Sequence, residues 1–386
     1  MDKGRRNFFR LLAAGSMGAG LSPTMAAKPA NITASEPTAT NIADALKYPR
    51  NENSMPGRYP GRVVKIVDEN SIVENKIKED AVYEMLEAGM TNLTEETDIS
   101  LAWQHFVSPG EAIGLKVNPI GGKLLSTSHA LVKSVISQLE LSGISKEKIV
   151  IFDRRMQHLL DAGFTPDNYP GIAILGTEHV DENGSYYDGS GQLYSLSRID
   201  REWYYWADCE MEYDNSMLPF MVNQGKYSYF SKIVTRQLDK IINLPIMKNA
   251  GASITLCLKN LGYGVITNTS RLHSTLWAET SAQVCAFPPV RDKVVLNIAD
   301  GIKGCYDGGP GANPQFFTNY GMLLLGTDPV AVDMAGYDII IGKRIEMGRQ
   351  DGFADAGLRQ MLLAGDLGLG IADRKRIDLR IPGSSI

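Results

Sequence analysis

The chain has 386 residues, 44% apolar and 22% charged, with 38 Gly and 18 Pro. That balance excludes disordered, collagen-like and small disulfide-rich chains, and this length accommodates one large α/β domain or two smaller ones. The net charge of −5 hides an asymmetry, because residues 1–27 carry Lys3, Arg5, Arg6 and Arg10 against Asp2 alone, leaving 35 basic and 43 acidic side chains in the remainder. A chain this acidic, with no run of Lys and Arg, is not expected to bind nucleic acid.

Paired arginines at Arg5 and Arg6 precede a short apolar stretch, Leu11 to Leu21, diluted by Gly15, Gly18 and Gly20. This pattern reads as a twin-arginine export signal over 1–27 with small residues at Ala26 and Ala27 for cleavage, so the export machinery is an expected partner and the location periplasmic or otherwise exported. Eleven residues fall short of the roughly 20 that span a bilayer, and no stable membrane anchor is expected. Residues 28–60 scatter Pro29, Pro37, Pro49, Pro56 and Pro60 among small polar residues and read as a flexible tether.

From residue 61 a single α/β domain is expected. Arg62 to Val67 alternates as a strand, 75–88 has helical spacing, Ala112 to Val117 reads as a strand, His129 to Leu141 as an amphipathic helix, and Lys148 to Phe152 as a buried strand ending at Asp153. A helix over 154–162 and an apolar run at 172–175 complete consecutive βαβ units, the material of a doubly wound, mostly parallel sheet with helices on both faces. The segment from about 180 to 235 is irregular and aromatic-rich, including Trp203-Tyr204-Tyr205-Trp206, and reads as an insertion. Strands are then expected at 240–244, 294–299 and 322–325, and helices near 251–261, 274–285, 329–341 and 354–363.

In open α/β sheets ligands bind beyond the carboxyl ends of the strands. Lys116, Asn118, Asp153, Asn243, Lys248, Asp300 and Asp307 all fall just after, or beside, strand runs. Lys259 and Asn260 interrupt an otherwise apolar helix, and a buried lysine is costly unless paired. Bland readings stand beside these: Lys116 and Asp153 also suit a structural ion pair, Asp328 before Pro329 suits a helix N-cap, and Gly308, Gly309 and Gly311 suit a turn. His105, His129, His158 and His179 are dispersed and read as surface or satisfied histidines. There is no G-x-S-x-G, H-E-x-x-H, Walker or strand-linked G-x-G-x-x-G pattern, and no nucleophile with a recognisable base. The four cysteines, Cys209, Cys257, Cys285 and Cys305, include no C-x-x-C pair, so no ferredoxin-type iron–sulfur motif is present.

These segments resemble a known family, the one catalogued as domain of unknown function 362, and in particular its twin-arginine-exported branch. The resemblance rests on Gly114 to Pro119, Ile149 to Arg154, Ile241 to Pro245 with Lys248, Leu258 to Leu261, Asn268 to His273, Asn297 to Pro310, and Leu325 to Asp333. It implies a site role for His273 but little mechanism. Where relatives place a His shortly after the lysine matching Lys248, this chain has Asn249-Ala250-Gly251, which leaves the question of a metal open.

The expectation is therefore a strand-end pocket for a small anionic ligand or cofactor. Lys116, Lys248 and Lys259 would hold its oxygens, and Asn118 and Asn260 would orient it. His273 and Lys259 would carry any catalysis, with Asp153, Asp300 and Asp307 setting charge or holding a cation. An enzyme using Lys, His and Asp chemistry and a non-catalytic metal- or cofactor-binding redox-accessory protein are both consistent with these residues.

Overall fold

The computed structural model describes residues 37–212, 215–221, 225–251, 253–349 and 356–383. The expected export signal at 1–27 and the first part of the expected tether, 28–36, lie outside the described residues. The remainder of the expected tether is docked on the domain. Ala45 and Met55 are fully buried, Met55 N donates to Arg291 O at 2.8 Å, and the Arg291 guanidinium donates to the carbonyls of Tyr48 and Pro49. Structure thus begins well before Arg62, because the Pro-rich segment finds backbone partners that its composition does not announce.

The strands are β1 (Arg62–Val67), β2 (Ile113–Val117), β3 (Ile149–Arg155), β4 (Ala173–Glu178), β5 (Ile199–Trp206), β6 (Tyr227–Ser231), β7 (Lys240–Leu244), β8 (Ile246–Ala250), β9 (Ser253–Thr255), β10 (Val294–Cys305), β11 (Met322–Gly326) and β12 (Asp378–Arg380). The main path of the large sheet runs β12-β1-β11-β10-β7-β2-β3-β4. Strands β10, β7, β2, β3 and β4 are parallel neighbours, whereas β11 runs antiparallel to both β1 and β10. At the centre, β2 is buried at all five positions, as befits a parallel strand covered on both faces.

The principal helices are α1 (Glu79–Thr94), α2 (His129–Leu141), α3 (Met156–Ala162), α4 (Cys257–Gly262), α5 (Trp277–Gln283), α6 (Pro329–Glu346) and α7 (Arg359–Asp366). One face of the sheet packs Leu115, Ile151, Ile242 and Leu296 against Val82, Leu86, Trp103, Leu131 and Val135 from α1, α2 and the short helix between them. The other packs Ile241, Val294, Ala299 and Leu324 against Leu258, Leu261, Ala282, Val330 and Met334. This is an α/β fold with a mixed, mostly parallel sheet. No helix among the described residues is long and apolar enough to cross a membrane.

Three boundaries differ from expectation for local reasons. Glu74 and Asn75 adopt positive φ, closing a small hairpin (Ile72–Val73 with Lys76–Ile77), so α1 starts only at Glu79. Residues 253–255 fold back on β8 as a strand after Gly251, at φ 55°, and α4 begins at Cys257. Strand β10 continues past Ala299 to Cys305, so Asp300 lies inside it, opposite Leu323 of β11. The aromatic insertion contains the antiparallel pair β5–β6, with Tyr205 and Phe230 buried and Tyr204, Trp206, Tyr227 and Tyr229 on the other face.

Candidate functional site

Five of the expected residues meet in one buried network at the carboxyl ends of β2, β3 and β8. Lys116 is fully buried, and its Nζ donates to Asp153 Oδ1 at 2.6 Å, Val117 O at 2.8 Å and Asn260 Oδ1 at 3.1 Å. Three acceptors around one amine require three N–H bonds, so Lys116 is an ammonium with none left to offer. Burial pushes the Asp153 carboxyl up, but the adjacent Lys116 amine outweighs it and holds Asp153 below the usual carboxylate range. The expectation that Lys116 grips a ligand is therefore corrected: the residue is a structural ion pair. Gly264 makes room for it, since a Cβ there would stand 2.3 Å from Lys116 Cε and 2.3 Å from Asn260 O.

The network runs on through amides. Lys248 Nζ donates to Asn118 Oδ1 at 3.0 Å, and Asn118 Nδ2 to Asn260 Oδ1 at 3.1 Å. Asn260 Nδ2 then donates to Asn243 Oδ1 at 2.8 Å, and Asn243 Nδ2 to Asn297 Oδ1 at 2.9 Å. Asn297 Nδ2 ends the row on the carbonyls of Gly326 and Thr327. Asn243 stands out in the sequence at a strand end but with no ligand role, and Asn297 does not stand out at all. Their signal was a single amide inside an otherwise apolar strand, which a buried strand tolerates only when it is hydrogen-bonded.

A second group lies around the Tyr263 ring, on the side of the network that reaches solvent. Lys259 Nζ sits 5.6 Å from the ring centroid, and the His273 ring is 4.5 Å from it, centroid to centroid. Arg154, at the end of β3, donates to Tyr263 O and to Thr269 Oγ1. Among the described residues Lys259 makes no hydrogen bond or ion pair, although it is only partly exposed. Desolvation pushes its pKa down to about 8. Lys248, wholly buried, is pushed down to about 7 by desolvation, with the charge of Lys259 adding to the effect.

His273 is an exposed residue whose ring packs on Tyr263, and desolvation, then Lys259 and Arg154, depress its pKa to about 3. Its Nδ1 lies 2.9 Å from Thr269 O; a carbonyl only accepts, so Nδ1 carries the proton and Nε2 the lone pair. His158 on α3, expected to be ordinary, is likewise held to about 3 by desolvation and the charge of Arg155. Glu178 neutralises the arginines, 2.8 Å from Arg155 Nε and 3.7 Å from Arg154 Nε. Arg154 Nε itself is buried without a hydrogen bond. The arginines and His158 were missed because Arg154 and Arg155 read as the start of a helix, whereas β3 extends through both.

The two remaining acids stand apart. Asp300 is buried, and its carboxylate accepts from Ser128 N at 2.7 Å and Ile302 N at 3.1 Å, fixing the start of α2. Burial raises its pKa despite those bonds. Asp307 is paired with Arg344 at 2.7 Å and Arg349 at 3.2 Å. Neither carboxylate is oriented toward the lysines by any bond it makes. Asp328 is the N-cap of α6, as expected, accepting from Val330 and Ala331 and also from Gly61 and Ile371. All four cysteines are free thiols, and among the described residues no three His, Cys, Asp or Glu side chains converge as a metal site would require. A broad hollow of about 750 Å³ on the outer face of the aromatic hairpin, lined by Trp206, Glu210, Tyr227 and Tyr229, contains none of the expected residues.

What the fold and site define is an α/β protein with a desolvated group of basic side chains at the carboxyl ends of its parallel strands. Residues 205–338 match the family model described as Domain of unknown function (DUF362). That segment carries Asn243, Lys248, Lys259, Asn260, His273, Asp300 and Asp307, while Lys116, Asn118 and Asp153 lie before it. No curated protein matches the chain.

Proposed function

We propose that the protein is exported and binds a small anion in a recess formed by Lys259, Arg154 and His273, with Lys248 beneath. The observation that carries this reading is the Lys259 side chain, which belongs to a half-buried residue, has its amine over an aromatic ring and has neither ion pair nor hydrogen bond among the described residues. Acids are available nearby, yet Asp153 is committed to Lys116 and Glu178 to the two arginines. A desolvated cation without a counter-ion costs several kcal/mol unless something completes it, and in this locally basic corner of an acidic protein the complement is an anionic ligand. Carboxylate, phosphate and sulfate all supply the oxygens that an amine and a guanidinium recognise.

Calorimetric titration of sulfate at low ionic strength, with wild type and Lys259→Met, tests the recess. Affinity should fall at least tenfold in the variant; equal affinity removes Lys259 from the site. Export is tested separately by replacing Arg5 and Arg6 with lysines, which should leave the precursor in the cytoplasm. Normal periplasmic fractionation of that variant would refute the signal.

A further inference from the structure

An anion site needs fixed positive charge, and guanidinium groups supply it at any physiological pH. This recess instead presents a lysine whose amine is held away from every carboxylate and carbonyl, with a second desolvated lysine, Lys248, close enough to repel its charge. Desolvation of an amine without an acidic partner is an arrangement that turns a lysine into a nucleophile, because it keeps a fraction of the amine unprotonated near neutrality. Beside it, His273 is locked by Thr269 O in the tautomer that leaves Nε2 free to exchange protons. Both side chains rest on the ring of Tyr263, and the backbone carbonyl of the same Tyr263 accepts from Arg154.

Resting on the anion-recess reading, we infer that the ligand is an oxo-carboxylate and that Lys259 Nζ forms a reversible imine with its carbonyl carbon, Arg154 taking the carboxylate. The lone pair of the neutral amine attacks the carbonyl carbon, the C–N bond forms, and the carbonyl π pair moves to oxygen, which takes up one proton from solvent, the net proton that the product retains as a protonated imine. His273 Nε2 accepts the proton that the nitrogen sheds and returns it to the departing hydroxyl. The nitrogen lone pair then closes the C=N bond, one water leaves for each imine formed, and nothing is oxidised or reduced. Lys248 remains hydrogen-bonded to Asn118 and takes no part in the step.

The test treats the full chain with glyoxylate, the smallest 2-oxo acid, and cyanoborohydride, followed by peptide mass spectrometry. Sulfate calorimetry on the same preparation runs in parallel. The expected result is a single adduct on Lys259, heavier by the mass of the acid less one oxygen. It should form fastest near pH 8, be suppressed by sulfate, and be absent from Lys259→Arg. Labelling spread over exposed lysines such as Lys47 and Lys133 at the rate of Lys259, labelling of Lys248 instead, or no adduct would overturn the imine. If sulfate still binds in those cases, the anion recess stands and the inference alone falls; if sulfate also fails to bind, both fall.

Discussion

Replacing Lys259 with methionine removes a charge while nearly preserving side-chain length and volume, and should make the protein more stable at pH 7 as it loses its ligand. The pKa of Lys259 falls from 10.5 to about 8 on folding. At 1.36 kcal/mol for each pH unit, that shift corresponds to about 3 kcal/mol, and partial exposure screens it to roughly 1–2 kcal/mol. Below pH 8 both the folded and unfolded states carry the proton, so the folded wild type bears the full cost of an unpartnered charge. Between about 8 and 10.5 the unfolded chain holds the proton and the folded chain does not, so wild-type stability rises with pH. The advantage of Lys259→Met should therefore be largest at pH 7 and vanish toward pH 10.5, less a few tenths of a kcal/mol for the lost contact with Tyr263. Urea denaturation of both proteins at pH 7, 9 and 10 measures the difference directly. A variant less stable than wild type at pH 7, or a difference independent of pH, would refute the claim that Lys259 lacks a partner.

The Lys116–Asp153 pair should behave in the opposite sense. Lys116→Met alone should cost about 3–5 kcal/mol by stranding a buried carboxylate, and adding Asp153→Asn should recover part of that loss, a coupling that a double-mutant cycle reads from denaturation midpoints. Gly264→Ala should destabilise by at least about 2 kcal/mol, because the new methyl would overlap Lys116 and the carbonyl of Asn260; thermal unfolding unchanged within a degree would show that the cradle is not tight. Sulfate affinity should be flat between pH 5 and 6, since His158 and His273 are both depressed to about 3 and stay neutral there, and should weaken as pH rises through about 7 and 8 with the loss of the Lys248 and Lys259 protons. A calorimetric inflection between pH 5 and 6 would place a charged histidine in the recess.

Much of the sheet was legible because its signals are local. The apolar runs at 62–67, 112–117 and 240–244, and the helix at 129–141, match the observed elements to within a residue. The place of Lys259 on a short helix was also legible, as a charge inside an apolar helical run. What sequence could not supply is the lateral order of strands distant in the chain. Asn243 meets Asn297 and Asn260 only because β7 lies between β2 and β10, and no periodicity encodes that neighbourhood. The same ignorance inflated Asp300 and Asp307. Each looked free at a strand end, but one holds the start of α2 and the other is neutralised by Arg344, 37 positions later on α6. Lys116 was ambiguous in sequence for a sound reason, since an ion pair and an anion site ask for the same residue at the same strand end.

The row of asparagines has a sense of direction. From Lys248 through Asn118, Asn260, Asn243 and Asn297, every amide turns its oxygen toward the lysine end and its nitrogen toward the carbonyls of Gly326 and Thr327. Turning one amide around would set oxygen against oxygen on one side and nitrogen against nitrogen on the other, so the members reorient together or stay as they are. A neutral Lys248 amine would keep two N–H bonds and could still serve Asn118, so the direction of the row does not depend on that proton. Its far end lies beside the first turn of α6, and five side chains thereby join the basic group to the anchoring of a helix on the antiparallel side of the sheet.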